Sequence, residues 1–452
     1  MIQPMTLTMA AQTFGGTLMY PDCEFSAVST DSRHIREGDV FVALRGERFD
    51  AHNFLPDVAT RASGMVVEYA DRDINLPQWV VPDTTVALGQ LALLNRRRFH
   101  GPVVAITGSS GKTTVKEMVA AILGECGSVL ATKGNLNNQI GVPLTLLSLT
   151  AKHRFAVIEM GASGPSEISY LCSLAKPDVV LVNNVLPAHV SGFGSLERIA
   201  SAKGEIYSGV CSEGTAVINL DESWAPQWRA ATLARVVSYS LVNESADFRA
   251  KTMVSDPQGC YSFVLVTPVG EAAVQLAVSG RHNVANALAA AACAHAAGAD
   301  LGAVAAGLNK VRAVPGRLHR QVLASGGTLI DDSYNANPGS VKAAVDTLMT
   351  ISGKQILVLG DMGELGDNEA ALHGEVGRYA ADKGVCHLLA VGPLSINTVR
   401  EFGEGAEHLD SKEQLLERLK SLLDKDAVVL VKGSRFMAMD TVVKMITELG
   451  EH

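Results

Sequence analysis

Apolar residues along this chain fall into short continuous runs separated by stripes at helical spacing, the pattern of buried strands with helices laid against them. The clearest pair begins at Val103-Val104-Ala105-Ile106-Thr107, which predicts a buried strand. After a glycine turn, Val115, Met118, Val119, Ile122 and Leu123 recur on one face of a predicted helix. Further strands are predicted at Phe155-Ala156-Val157-Ile158-Glu159 and over 178–184. Upstream, Ala27 to Arg33 and Asp39 to Gly46 read as short strands of a small α/β unit. Leu88, Leu91 and Leu94 mark a connecting helix over 84–99, closed by Arg96-Arg97-Arg98, cations suited to the negative end of its own dipole. Alternation of polar and apolar residues from Asp247 to Ser279 predicts antiparallel strands appended to the central sheet. Ala313-Val314-Pro315-Gly316-Arg317 breaks the pattern. Beyond it, strands over 328–332, 355–360, 386–391 and 427–432 alternate with helices over 340–349, 369–381 and 436–449, as in a separate doubly wound sheet.

The expected fold class is therefore α/β in three domains. Residues 1–83 form a small N-terminal α/β domain, 84–314 a central P-loop ATPase-like parallel sheet with added antiparallel strands, and 315–452 a C-terminal Rossmann-like doubly wound domain. A length of 452 residues allows about three cores of ordinary size. A formal charge of −9 argues against a general nucleic-acid binder, so an anionic substrate must be held by local cations. Seven scattered cysteines without a Cys-x-x-Cys pair indicate neither a disulfide framework nor a zinc site and fit a reducing cytoplasm. No basic residue precedes an apolar core in Met1 to Phe14, and the alanine-rich run near 287–297 is interrupted by His295, so neither secretion nor a membrane span is expected.

Candidate chemistry gathers at predicted strand ends. Gly108-Ser109-Ser110-Gly111-Lys112-Thr113-Thr114 reads as a phosphate loop: glycines permit close backbone approach, helix N-terminal amides face an anion, Lys112 adds charge and Thr113 offers a hydroxyl to magnesium. The loop is short, because Ile106 stands where the longer pattern has its first glycine. Glu159 closes its strand at the rim where a metal-bound nucleotide would sit, and His189 follows the next strand within Pro187 to Gly194. Lys203, by spacing alone, reads as a helix-surface lysine paired with nearby acids. Asn283 and Asn286 lie one turn apart and suit either an adenine edge or a helix cap. Ser32, Arg33, Arg45 and Arg48 could bind a diphosphate or remain solvated surface. Polar turns over 331–338, 360–366 and 431–435 point to a cleft at the C-terminal sheet.

Read in order, Thr30-Asp31-Ser32-Arg33, the segment Phe41 to His52, Thr107 to Glu117, Gly134-Asn135-Leu136-Asn137-Asn138, Gly280 to Ala287, Asp331 to Pro338 and Lys432-Gly433-Ser434-Arg435 resemble the Mur ligase family over nearly the whole chain. The family uses the same shortened Gly-x-x-Gly-Lys-Thr loop. The resemblance implies a cytoplasmic, ATP-dependent amide ligase that joins D-alanyl-D-alanine to a UDP-linked muramoyl tripeptide in peptidoglycan synthesis. It implies an acyl-phosphate intermediate and magnesium, as two ions. By motif, Thr113, Glu159 and His189 look like metal ligands, and Lys203 resembles the lysine that carries a carbamate. Lys112, with Gly108 to Thr114, would hold ATP phosphates, Asn283 and Asn286 the adenine side, Arg317 the hinge near the phosphates and Asp332 the ribose. Asn335, Asn337, Lys432, Ser434 and Arg435 are expected to hold the dipeptide. Thr30, Asp31, Ser32, Arg33, Arg45, Gly46, Asn137 and Asn138 are expected on the uridine-linked substrate. One departure is Pro165 before Ser166-Glu167, where the family usually has glycine ahead of this glutamate.

Two alternatives stand beside this reading. The preceding ligase of the pathway, which adds a diamino acid, carries an Asp-Asn-Pro-Arg type motif that is absent here. A P-loop switch would need an Asn-Lys-x-Asp element, also absent, whereas a silent ATP-binding partner would not need the intact lysine, hydroxyl, acid and imidazole. The working unit is expected to be a monomer without nucleic-acid or membrane partners.

Overall fold

The computed structural model describes residues 1–47, 49–187 and 190–449. Its centre is a six-stranded sheet, all parallel, in the order Arg235–Tyr239, Thr215–Asn219, Val179–Val182, Val103–Thr107, Phe155–Glu159 and Val129–Ala131. The period-2 geometry of Val103–Thr107 sends Val103 and Ala105 into one core and Val104 and Ile106 into the other. Both faces are covered, which is why the run carries no polar residue until Thr107. The helix Lys112–Gly124 packs its predicted apolar stripe on one face. Beside it the alanine-rich helix Arg281–Ala296 is enclosed, with Ala287 through Ala294 all in the same core.

Arg249–Ser255, Cys260–Thr267 and Gly270–Ser279 do form an antiparallel unit, but as a separate three-stranded sheet stacked across that core. An isolated bridge between Tyr239 and Phe248 is its link to the central strands. Arg96 also departs from expectation. Its buried guanidinium reaches beyond its own helix, Thr84–Arg97: it donates to the carbonyls of Ala175 (2.6 Å) and Lys176 (2.7 Å), where the helix Glu167–Ala175 ends, and also to that of Phe99 (2.8 Å), just past its own helix. Packing beside a neighbouring helix terminus outweighed the local dipole, because orphan carbonyls there needed donors.

Toward the N-terminus, Thr17–Met19, Gln78–Val80, Gly64–Val67, Asp39–Val42 and Ala27–Ser29 make a five-stranded sheet in that order, parallel except for its first pair. Toward the C-terminus, His319–Val322, Thr328–Asp332, Ala427–Lys432, Lys354–Gly360, His387–Val391 and Ala406–Leu409 form a second six-stranded sheet, with only the first pair antiparallel. The two edge strands, His319–Val322 and Ala406–Leu409, are half exposed and carry no apolar run, so periodicity did not announce them. The helix Pro338–Leu348 lies against the central domain. A Cβ added at Gly339 would come within 2.9 Å of Leu186, and one at Gly280 within 2.6 Å of Thr347. Among the described residues no helix is long and apolar enough to cross a membrane.

Candidate active site

Three neighbouring central strands end at one place. Register pairs Glu159 with Ile106 and Val182 with Thr107, so the turn 108–111, the Glu159 carboxylate and the segment after Val182 emerge side by side. Gly111, at φ 75°, caps the helix Lys112–Gly124, and no side chain caps it. A Cβ at Gly111 would lie 2.6 Å from the Asn183 amide nitrogen, so the turn requires glycine both for its left-handed backbone and for this close approach.

The amides of the turn are shared out differently from the sequence expectation. Ser109 and Ser110 donate to the carbonyl and side-chain oxygen of Asn184 (3.0 and 2.8 Å), so anion-facing amides begin only at the helix end itself. Behind the turn, the Asn183 side chain donates to the Ser110 carbonyl and to Asn286 (both 3.0 Å). Asn286 donates to Asn283 (2.8 Å), and Asn283 to the Ser279 carbonyl (2.7 Å). All three asparagines are buried, and they form a continuous neutral relay beneath the phosphate loop. Asn283 and Asn286 thus partner each other and the loop, and their remaining amide capacity faces the cavity.

Lys112 donates to the Gly108 carbonyl (2.7 Å), and burial pushes its ammonium below the ordinary lysine range, with Glu159 opposing that shift and Arg317 reinforcing it. The Thr113 hydroxyl donates to Glu159 Oε2 (2.8 Å), Glu159 Oε1 accepts from the Asn137 amide (2.8 Å), and the Glu159 backbone amide donates to the Thr132 hydroxyl (2.9 Å). A hydroxyl and a carboxylate oxygen held together at a helix N-terminus suit a hard divalent cation that keeps phosphate and water as its other ligands. Among the described residues no group of three or more His, Cys, Asp or Glu forms a self-sufficient metal cage. His189 and Arg48 lie outside the described residues.

Lys203 is not on the surface. It is 1% exposed on the inner face of the helix Leu196–Ser208, with its ammonium 5.9 Å from the Phe193 ring. Burial first, then repulsion from Lys112, pushes its pKa down to about 7 against the attraction of Glu167. Helical spacing alone could not reveal this, because the burying partners come from distant segments.

These groups line a cavity of about 500 Å³ between the central and C-terminal sheets. Ser109 to Thr114, Asn137, Asn138, Glu159 and Lys203 face it from one side, together with Asn283 and Asn286. Arg317, Asp332, Asn335, Asn337 and Lys432 face it from the other. Asp332 and Lys432 are register partners at adjacent strand ends and pair at 2.5 Å; burial raises the Asp332 pKa, and the Lys432 ammonium opposes that rise. Asn337 caps the helix Pro338–Leu348, and Asn335 accepts from the Ala336 amide (2.9 Å).

Several expected residues do not line this cavity. Gly108 and Ser434 are behind the cavity wall: the Ser434 hydroxyl donates to the Ala336 carbonyl (3.1 Å) and accepts from the Gly363 amide (2.8 Å), which ties three loops together. Arg435 is exposed beside that loop. Thr30, Asp31, Ser32, Arg33, Arg45 and Gly46 are in the N-terminal domain and are not among the residues lining the cavity. There the Arg33 guanidinium folds back on Asp31 (2.9 and 2.8 Å), holding that carboxyl well below the usual range, and Arg45 faces Asp50 and Glu68.

Sequence reasoning missed several groups that share the site. In the sequence Asn183 and Asn184 mark only a strand end. Tyr334 and His282 stand in the sequence only as parts of longer motifs, yet both line the cavity, and burial next to Lys432 pushes the His282 imidazole down to about 4. The signal available was position, since all four follow or flank an element at the ligand-facing rim.

Comparison with known proteins agrees with this geometry. The Mur ligase middle domain matches residues 106–294, and the Mur ligase glutamate ligase domain matches 316–435. The chain is 46% identical over 449 residues, 99% of both chains, to the UDP-N-acetylmuramoyl-tripeptide–D-alanyl-D-alanine ligase of Escherichia coli strain K12. Its fold superposes on a crystal structure of MurF from Acinetobacter baumannii with a TM-score of 0.93, at 37% identity and 99% coverage of each chain. The MurF ligase of Thermotoga maritima in complex with ADP gives a TM-score of 0.83 at 28% identity, covering 94% of this chain and 98% of that one. On these matches, which run from end to end of the chain, it belongs to the Mur ligase family.

Proposed function

We propose that the chain is an ATP-dependent amide ligase that adds D-alanyl-D-alanine to UDP-N-acetylmuramoyl-tripeptide, giving the UDP-linked pentapeptide used in peptidoglycan synthesis. Relatives carrying that activity in their names match it over nearly its full length. The observation that carries the chemistry is the cavity itself: Lys112, the Thr113–Glu159 pair and Lys203 on one wall oppose Arg317, Asp332 and Lys432 on the other.

A carboxylate resists attack by an amine, so the terminal carboxylate of the tripeptide first takes the γ-phosphoryl group of ATP. The acyl phosphate then has a leaving group. The free amine of the dipeptide attacks, and the tetrahedral intermediate collapses to an amide and phosphate. Both steps gather negative charge, so catalysis consists of neutralising that charge and aligning the reactants away from water. In this reading Lys112 and the helix N-terminus hold the ATP phosphates, Arg317 supports them from the C-terminal side, and Asp332 faces the ribose. Thr113 and Glu159, joined by His189, would hold magnesium, which screens the polyphosphate charge. The Lys203 amine, partly neutral near pH 7, is suited to carry a carbamate, which would turn a cation into an anion beside that metal. Asn335, Asn337 and Lys432 are suited to the dipeptide, and Asn137 and Asn138 to the uridine-linked peptide. The N-terminal domain over 1–83 is suited to the uridine nucleotide, the segment 84–314 to ATP, and 315–452 to the dipeptide.

The test is phosphate release by purified protein. It should require ATP, the tripeptide nucleotide and D-alanyl-D-alanine together. Release with the dipeptide nucleotide and a diamino acid instead would assign the preceding step of the pathway and overturn the proposal.

A further inference from the structure

Tyr334 lies where three segments meet. The hinge turn reaches it through a hydrogen bond from the Tyr334 amide to the Gly316 carbonyl (3.1 Å), and a Cβ at Gly316 would stand 3.1 Å from the Tyr334 Cβ. The next residue, Arg317, places its guanidinium carbon 4.2 Å from the centre of the Tyr334 ring. From the loop after Ala427–Lys432, the guanidinium carbon of Arg435 reaches the same ring at 5.6 Å. That loop is fixed beside it, since the Arg435 amide donates to Asn335 Oδ1 (3.3 Å) and Lys432 to the Asn335 carbonyl (2.9 Å).

Among the described residues neither guanidinium makes a hydrogen bond or a close ion pair; each lies against the Tyr334 ring, and the Asp332 carboxylate attracts Arg317 as well. Their fork of donors is therefore free for anions while their direction is set. The π-face attracts both cations, which otherwise repel each other and, for Arg317, the Lys112 ammonium across the cavity. When one guanidinium is neutralised by an anion, the repulsion on the other falls, and the ring holds it more firmly.

We propose that Tyr334 is a positioning residue whose ring aims Arg317 and Arg435 together and thereby links nucleotide binding to binding of the incoming dipeptide carboxylate. The inference rests on the placement of Arg317 beside ATP in the proposed function and on the dipeptide role that the family resemblance implies for Arg435. The binding of one anionic substrate then tightens the other without direct contact between them, a coupling expected to be about fivefold or more.

The test compares the full chain with Tyr334→Phe, which keeps the ring, and with Tyr334→Met and Tyr334→Leu, which fill similar space without a π-face. Titration calorimetry with D-alanyl-D-alanine is run with and without a non-hydrolysable ATP analogue, and KM values for ATP and dipeptide are taken from phosphate release. The parent and Tyr334→Phe should show tighter dipeptide binding in the presence of the analogue. In Tyr334→Met that enhancement should vanish and both KM values should rise about five- to tenfold, with a smaller change in kcat. If Tyr334→Leu fails to melt cooperatively, Tyr334→Met supplies the comparison. A Tyr334→Met variant that retains the enhancement, or a Tyr334→Phe variant that loses it, overturns the inference while leaving the ligase reading intact. A parent chain with no dipeptide-dependent phosphate release overturns both.

Discussion

Lys112 and Lys203 face one cavity, and the Lys112 ammonium adds to the burial that weakens the hold of Lys203 on its proton. For Lys203 the consequence has a definite sign. Its pKa lies near 7 in the folded chain, against an ordinary value of 10.5, so across that window the unfolded chain binds the additional proton and stability rises with pH. Below pH 7 the folded protein carries a buried ammonium at full disadvantage. A Lys203→Met variant should therefore be more resistant to heat than the parent at pH 6, and its advantage should shrink by pH 9, as read from melting curves in bicarbonate-free buffer. For Lys112 the readout is turnover. Removing its ammonium in Lys112→Ala should lower phosphate release on the order of a hundredfold to a thousandfold, the range seen when one preorganised charge-stabilising donor is lost. The phosphate-loop residues were legible because glycine, lysine and threonine at that spacing have few other uses. Asn183, Asn184, His282 and Tyr334 were not, because their significance is a matter of which distant atoms they touch.

Individual elements obeyed periodicity where their faces were buried and escaped it at edges. Val103–Thr107, Phe155–Glu159 and the helix Lys112–Gly124 appear where the apolar pattern put them, whereas the half-exposed strands at both edges of the C-terminal sheet left no such trace. Arg96 shows the limit of local rules. Its residue type promised a favourable charge at the end of its own helix, yet it satisfies carbonyls at the end of Glu167–Ala175. Arg96→Met keeps most of the aliphatic stem and strands those carbonyls, so it should lower the free energy of unfolding by about 2–4 kcal/mol in a denaturant titration. Arg97→Met, one position on, should change it by less than about 0.5 kcal/mol, as surface positions do. A similar intimacy sets the support of the phosphate-loop helix: a Cβ at Gly307 would fall 2.4 Å from the Ile122 Cα, so the helix Leu301–Lys310 rests directly on that backbone.

The molecule as a whole puts its chemistry in the gap between two sheets, one parallel and one parallel but for an edge pair, whose ligand-facing edges look at each other. Alternating strands and helices made both sheets readable in advance, but nothing in either pattern fixed how they would be set against one another. That arrangement depends on small residues at the seam, among them Gly339 against Leu186 and Gly280 against Thr347. Gly339→Val should hold the two domains slightly apart. The expected result is a several-fold fall in turnover with little change in melting temperature, accompanied by a larger radius of gyration in solution scattering with substrates bound. The asparagine relay under the phosphate loop has a different reach. Amides neither gain nor lose protons in water, so the scaffold joining Ser279, Asn283, Asn286, Asn183 and Ser110 keeps one electrical character from mild acid to strong alkali. Acid and base then act on the ammonium, imidazole and carboxylate groups around the substrates and on the dipeptide's own amine, and the shape of a pH–rate curve records those groups and not the scaffold beneath them.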